Sequence, residues 1–311
     1  MASDDLLKQL EGIGKPDEKK EKEITSLETF LITFRMWESL LEEIAPQVHH
    51  EGQISYDSLN RLEKEGEQIL TPYKELLPAQ IEDTPYFMPI RFMEPGYKLY
   101  AGLFYTALLN TGCTSTIKVP EDVPRSCWGY KLRKGTLNIL NGVQHTGEQM
   151  SGGYLEVRGK MHWHVGYLAT GGVCVTDGEA PSLGTFATGG IFINNGHVSF
   201  GLGHAAVNGV FINTGYISSA FGSGAHEGFF VNYGIHKDSI GFGAEKAIVV
   251  DRKSRDRTMD EHIIYIADKD LKGSMLDKML DELLAAIKIK DIAKVQQILP
   301  NVRETAMYFW V

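Results

Sequence analysis

Glycine recurs in this chain at fixed intervals, and the interval leaves few folds open. Gly153, Gly172, Gly190, Gly209 and Gly228 form one series, with Ala247 in the next place, at steps of 19, 18, 19, 19 and 19 residues. A second series runs through Gly159, Gly178, Gly196, Gly215 and Gly234, and a third through Gly166, Gly184, Gly203, Gly222 and Gly241. A period of this length marks a unit that buries its apolar face only by stacking on the next copy. Three glycines per unit divide each turn into three short runs and place at every corner a residue able to take φ > 0.

The runs between the first and second corners are Val173–Asp177, Ile191–Asn195, Val210–Thr214 and Phe229–Tyr233. They are β-branched and aromatic, which suits strands. A helix does not survive this spacing, because each interior glycine costs about 0.8–1.0 kcal/mol relative to alanine. The expected fold is a right-handed, three-sided parallel β-helix over 135–251, with six coils stacked about 4.8 Å apart. Stacking makes equivalent positions neighbours. Phe192, Phe211 and Phe230 share one offset, and Asn194, Asn213 and Asn232, followed by Asp251, share another. Side-chain amides in register donate to one another along such a stack, so both ladders read as structural.

A short solenoid has two ends that need covering. Residues 1–22 are charged and poor in core formers, and are expected to be mobile. Residues 23–80 are expected to form a helical hairpin. Its first helix opens on a capping box, Thr25 to Glu28, carries the stripe Leu27, Phe30, Leu31, Phe34, Trp37, Leu41 and Ile44, and ends at Pro46. The second runs from Tyr56 to Leu70. Residues 81–134 are expected to serve as linker and N-terminal cap, with a buried helix over Tyr97–Leu109. Residues 252–311 are expected to cap the other end with a strand over His262–Ala267, a helix from Met275 to Ile287, and a further helical stretch over Asp291–Leu299 that stops before Pro300.

Net charge is −9 with 31 Lys and Arg against 40 Asp and Glu, so the chain lacks the basic face that nucleic acid or an anionic membrane requires. The remaining partner classes are a protein, including a second copy, or a small molecule. No apolar run is long enough to span a membrane, and Met1 to Lys22 alternates charges where a secretion signal carries an apolar core, so a cytoplasmic setting is expected. Cys113, Cys127 and Cys174 lack paired metal spacing, which points to reduced core thiols.

Three junctions repeat one longer word: Gly147 to Gly153, Gly166 to Gly172 and Gly184 to Gly190, each leading into a strand, with Ser223 to Gly228 in the same rhythm. This resembles the glycine-rich (GXGXG) β-helix at the C-terminus of the glutamate synthase large subunit, and is similar to a subunit of formylmethanofuran dehydrogenase. The resemblance covers 135–251 only. It implies a β-helix that, in those enzymes, holds catalytic domains together without carrying catalytic residues. The chain has none of glutamate synthase's nucleophilic cysteine, flavin barrel or iron–sulfur cysteines.

Candidate chemistry is sparse. His145 and His164 are 19 residues apart and His162 is nearby, so the three form the alternative active-site set of a β-helix enzyme, acyltransferase-like or metal-dependent. A solvent-facing histidine ladder explains the same spacing. Cys174 and Asp177 fall on another side of the triangle, while His197, His204, His226 and His236 share no offset. His49, His50 and Glu51 read as a hydrated loop. Gly201–Gly203 and Gly222–Gly224 lack the following helix that a phosphate loop needs. Arg252 to Arg257 has its charge partly cancelled by Asp251 and Asp256. The expected function is therefore a non-catalytic scaffold or assembly protein, with no cofactor and no metal.

Overall fold

The computed structural model describes residues 18–44, 55–81, 101–113, 115–119, 127–140, 146–238, 240–253 and 263–308. His145, His262, the 49–51 loop and residues 254–257 lie outside the described residues.

Alternation within each short run decides which side chains enter the coil. In β7 (Ile191–Asn194), β9 (Val210–Asn213) and β11 (Gly228–Asn232), Phe192, Phe211 and Phe230 point inward, whereas Ile193, Ile212 and Val231 point outward under the C-terminal helices. These strands are parallel and pair residue for residue, Phe192 with Phe211 and Phe211 with Phe230. The stacked rings lie 5.1 and 4.9 Å apart and within 13° of parallel. The fold is a parallel β-helix of about seven turns with flanking N-terminal and C-terminal helices.

The first side of the triangle is a ten-stranded parallel sheet in the order β1-β2-β3-β4-β5-β7-β9-β11-β13-β14. Besides those already named, its members are β1 (Gln80–Ile81), β2 (Thr116–Val119), β3 (Thr136–Ile139), β4 (Ser151–Val157), β5 (Gly171–Thr176), β13 (Ala247–Asp251) and β14 (Ile264–Ala267). The sheet therefore continues past both ends of the glycine repeat. Tyr265 pairs with Val249 and Ile117 with Leu137, so the strand expected in the C-terminal cap is itself part of the stack. The second side has four strands, β6 (Glu179–Leu183), β8 (His197–Leu202), β10 (Tyr216–Ile217) and β12 (Ile235–His236). The third side is turns, joined coil to coil by bonds such as Val207 N to Ala187 O (2.7 Å) and His226 N to Ala206 O (2.8 Å).

The three glycine series solve two different problems. The first and third take positive φ, as at Gly172 (82°) and Gly203 (67°). The second series does not, which corrects the expectation of φ > 0 at every corner. Gly178, Gly196, Gly215 and Gly234 are glycine because a Cβ there would lie 2.0–2.1 Å from the carbonyl oxygen of the glycine one coil below. Coil-to-coil approach, not backbone handedness, selects the residue.

Three helices cover the N-terminal end. α1 (Glu18–Ile44) starts well before Thr25, because Glu18 to Glu23 contains only helix-forming Glu and Lys; the capping-box reading of Thr25 to Glu28 is incorrect. α2 (Tyr56–Leu70) starts where Ser55 Oγ accepts from Ser58 N. α3 (Ala101–Thr111) buries Phe104 between Phe34 and Tyr105, edge to face with both. Along the flank, and not over the other end as expected, α4 (Asp268–Leu271), α5 (Met275–Lys288) and α6 (Ile292–Tyr308) cover the outer face of the ten-stranded sheet. Contrary to expectation α6 runs through Pro300. Pro300 itself is exposed while Ile298, Leu299 and Val302 are buried around it, and that burial outweighs the roughly 3 kcal/mol a mid-helix proline costs.

Candidate functional site

Every third corner repeats one backbone device. A glycine with positive φ is followed two residues later by another left-handed residue: Gly129 and Lys131, Gly147 and Gln149, Gly166 and Leu168, Gly184 and Phe186, Gly203 and Ala205. The inner glycine has no room for a side chain, since a Cβ at Gly203 would meet Phe211 and Phe230 at 2.8 Å. The second left-handed residue projects outward. A non-glycine pays about 1–2 kcal/mol for that conformation, yet Leu168 and Phe186 occupy it and remain exposed.

The exposed edge therefore carries a continuous aromatic track. Trp163, His164, Tyr167, Phe186 and His204 follow one another with ring centroids 6.3, 5.6, 5.7 and 6.4 Å apart. Trp163 is 54% exposed and Phe186 43%, and Phe200 on β8, three residues before Gly203, is 72% exposed. None of these side chains is anionic. In a chain of net charge −9 this is a stripe without carboxylates on an acidic molecule.

One coil nearer the N-terminus the same corner is occupied. Glu148, buried, accepts a 2.6 Å hydrogen bond from the Tyr56 hydroxyl of α2, and that bond raises the Tyr56 pKa. Tyr130 donates to Asn60 Oδ1 at 3.0 Å. Arg133 pairs with Glu63 at 3.0 Å and also with Glu67. A helix thus already sits on this corner at the first coils, and the aromatic track begins where it ends.

Of the alternative active-site set, His162 and His164 are among the described residues. His162 is exposed and makes no described hydrogen bond, and His145 lies outside the described residues. His164 is half-buried rather than part of a solvent-facing ladder, with Nδ1 on Ser182 Oγ, which in turn accepts from Thr185 Oγ1 at 2.8 Å. Burial holds the His164 pKa below its usual value, against the Glu148 charge. Ser182 and Thr185 are both buried. Among the described residues no group of three or more His, Cys, Asp or Glu side chains is arranged to hold a metal ion. Cys174 is buried against Met150 Sδ, and Cys113 and Cys127 are likewise buried free thiols whose pKa burial pushes up. His197 meets Ser218 at 2.8 Å and His226 meets Glu245 at 2.9 Å.

The asparagine ladder does end in a titratable group. Asn194, Asn213 and Asn232 each donate Nδ2 to the next Oδ1 at 2.8–2.9 Å, and the last acceptor is Asp251. Asp251 also accepts from Tyr265 (2.7 Å), Lys253 N (2.9 Å) and His236 Nε2 (3.2 Å). Burial acts to raise the Asp251 pKa, but the hydrogen bonds, led by His236, hold it down at about 2, and the same bond raises His236. Sequence reading placed His236 among scattered corner residues; the ladder's change from amide to carboxylate was the available sign.

No known family model matches the chain, and no curated protein does. Among the described residues no helix is long and apolar enough to cross a membrane.

Proposed function

We propose that this protein is a non-catalytic scaffold that docks a protein partner, or a second copy of itself, on the third corner of its β-helix. The observation that carries the reading is the exposed aromatic track from Trp163 to His204. Rows of Trp, Tyr and Phe without charge are depleted from ordinary surfaces and enriched at the centres of interfaces, where a few such residues supply most of the binding energy. The interior supports the same role, since phenylalanines and amides stacked in register make a closely packed rod. The glycine-rich β-helix of glutamate synthase, which the repeat resembles, holds neighbouring domains in place, and a similar mechanical duty is proposed here. Three buried thiols fit a reducing, cytoplasmic setting.

The test is affinity capture of the tagged full chain at native expression, beside the double variant Trp163→Ser, Phe186→Ser. Both residues are exposed, so the melting temperature should be unchanged while a stoichiometric partner is lost. Identical captured proteins from both chains would count against the track.

A further inference from the structure

A second concavity lies on the opposite side of the β-helix from this track, where the C-terminal helices stop short of the first coils. It has a volume of about 400 Å³ and is lined by Thr136, Asn138, Tyr154, Glu156, Lys290 and Ile292. Its origin is in the register. One outward ladder of the ten-stranded sheet reads Lys118, Asn138, Glu156, Val175, Ile193, Ile212, Val231, Val250 and Ile266. It is apolar wherever α5 and α6 cover it and polar in the coils beyond, and Lys290, in the turn between the two helices, stands at the change.

The charges there cancel. Lys290 Nζ contacts Glu156 at 2.5 Å and also Asp177, and Arg158 Nε donates to Glu156 at 2.8 Å, so two carboxylates face two cations. Hydrogen-bonding capacity of both kinds is left over. An ammonium has three donors, of which Lys290 uses two on these carboxylates. Glu156 Oε2 accepts a long bond, 3.3 Å from the Tyr154 hydroxyl. The amide of Asn138 and the hydroxyl of Thr136, both half-buried, make no described side-chain bond. Ile292 and the Tyr154 ring add apolar surface beside them.

We infer that this cleft is a binding site for a neutral polyhydroxylated ligand, a mono- or disaccharide. A balanced site gives no electrostatic preference for an anion or a cation. Donors and acceptors placed side by side suit vicinal hydroxyls, each of which both gives and takes a hydrogen bond, and the apolar lining takes the C–H face of a sugar ring. The concavity is shallow and open to solvent, so it would hold a small ligand by one face. The site is independent of the docking corner.

The experiment is amide-resolved NMR titration of the ¹⁵N-labelled full chain with glucose, N-acetylglucosamine, maltose, cellobiose and sorbitol, with citrate and glycine betaine as charged and zwitterionic comparisons. At least one neutral polyol should shift resonances of Tyr154, Glu156, Lys290 and Ile292 saturably. Asn138→Leu and Thr136→Val, each with an unchanged melting temperature, should weaken that binding roughly tenfold. No saturable shift across the polyols would overturn the inference. So would selective binding of citrate or betaine, or binding indifferent to both substitutions.

Discussion

Replacing Gly215 by alanine should be among the most damaging one-carbon changes in this chain. Its Cβ would stand 2.1 Å from Gly196 O, so reaching an ordinary 3.4 Å contact means parting two coils by about 1.3 Å. Three hydrogen bonds cross that gap: Tyr216 N to Gly196 O (2.8 Å), Gly215 N to Asn194 O (3.1 Å) and Asn194 Nδ2 to Tyr216 O (3.2 Å). Weakening them at about 1 kcal/mol each and adding a modest overpacking term gives about 3–5 kcal/mol. Gly224 is the control. Its φ is +65° and nothing lies within 4 Å of its Cβ, so Gly224→Ala should cost only about 1 kcal/mol, from backbone conformation alone. Asparagine separates the two causes, because it tolerates a left-handed backbone but is no smaller than alanine. Urea unfolding followed by circular dichroism should find Gly215→Asn as damaging as Gly215→Ala, and Gly224→Asn nearly silent. Rescue of position 215 by asparagine, or equal costs for alanine at the two sites, would refute the coil-contact argument.

Asn213→Leu removes one of two partners from the Asn194 amide and from the Asn232 side-chain carbonyl in a fully buried stack, and should destabilise by about 2 kcal/mol in the same unfolding assay. The Asp251–His236 pair sets a pH window. His236 is raised, so its contribution is complete below about pH 6.5 and fades as pH climbs through the folded value. Asp251 is lowered to about 2, so its contribution is complete above about pH 4 and fades as pH falls towards 2. Melting temperature should therefore peak between those limits, and His236→Leu should flatten the alkaline decline specifically. Lys290→Met should cost about 1–2 kcal/mol after allowance for its partial exposure, and should speed amide exchange in the α5–α6 turn more than in α5 itself.

The fold was readable because its constraint is periodic. Phe192, Phe211 and Phe230 at one offset and Asn194, Asn213 and Asn232 at another are a direct trace of coils stacked in register. The ends were harder, because β2 and β14 join the sheet without corner glycines, and Ile117 and Tyr265 look like any buried strand residue. The second glycine series was placed correctly but for the wrong reason, since sequence does not tell a glycine kept for φ from one kept for a neighbour's carbonyl. The exposed aromatic corner was missed because Leu168, Phe186 and Ala205 adopt a conformation that glycine usually advertises. Their exposure depends on that backbone state, and no residue type announces it. His164 makes a related point, since its ring turns to Ser182, a contact that the repeat spacing does not encode.

The central claim is that the aromatic corner holds the protein in an assembly. Light scattering on the complex purified at native expression tests it most directly, with the wild-type chain and the Trp163→Ser, Phe186→Ser variant side by side. The account predicts a defined mass above 34.6 kDa for the wild type, in a fixed ratio with a partner or a second copy, and a folded 34.6 kDa monomer for the variant. A wild-type monomer, or an assembly the variant retains, would contradict it.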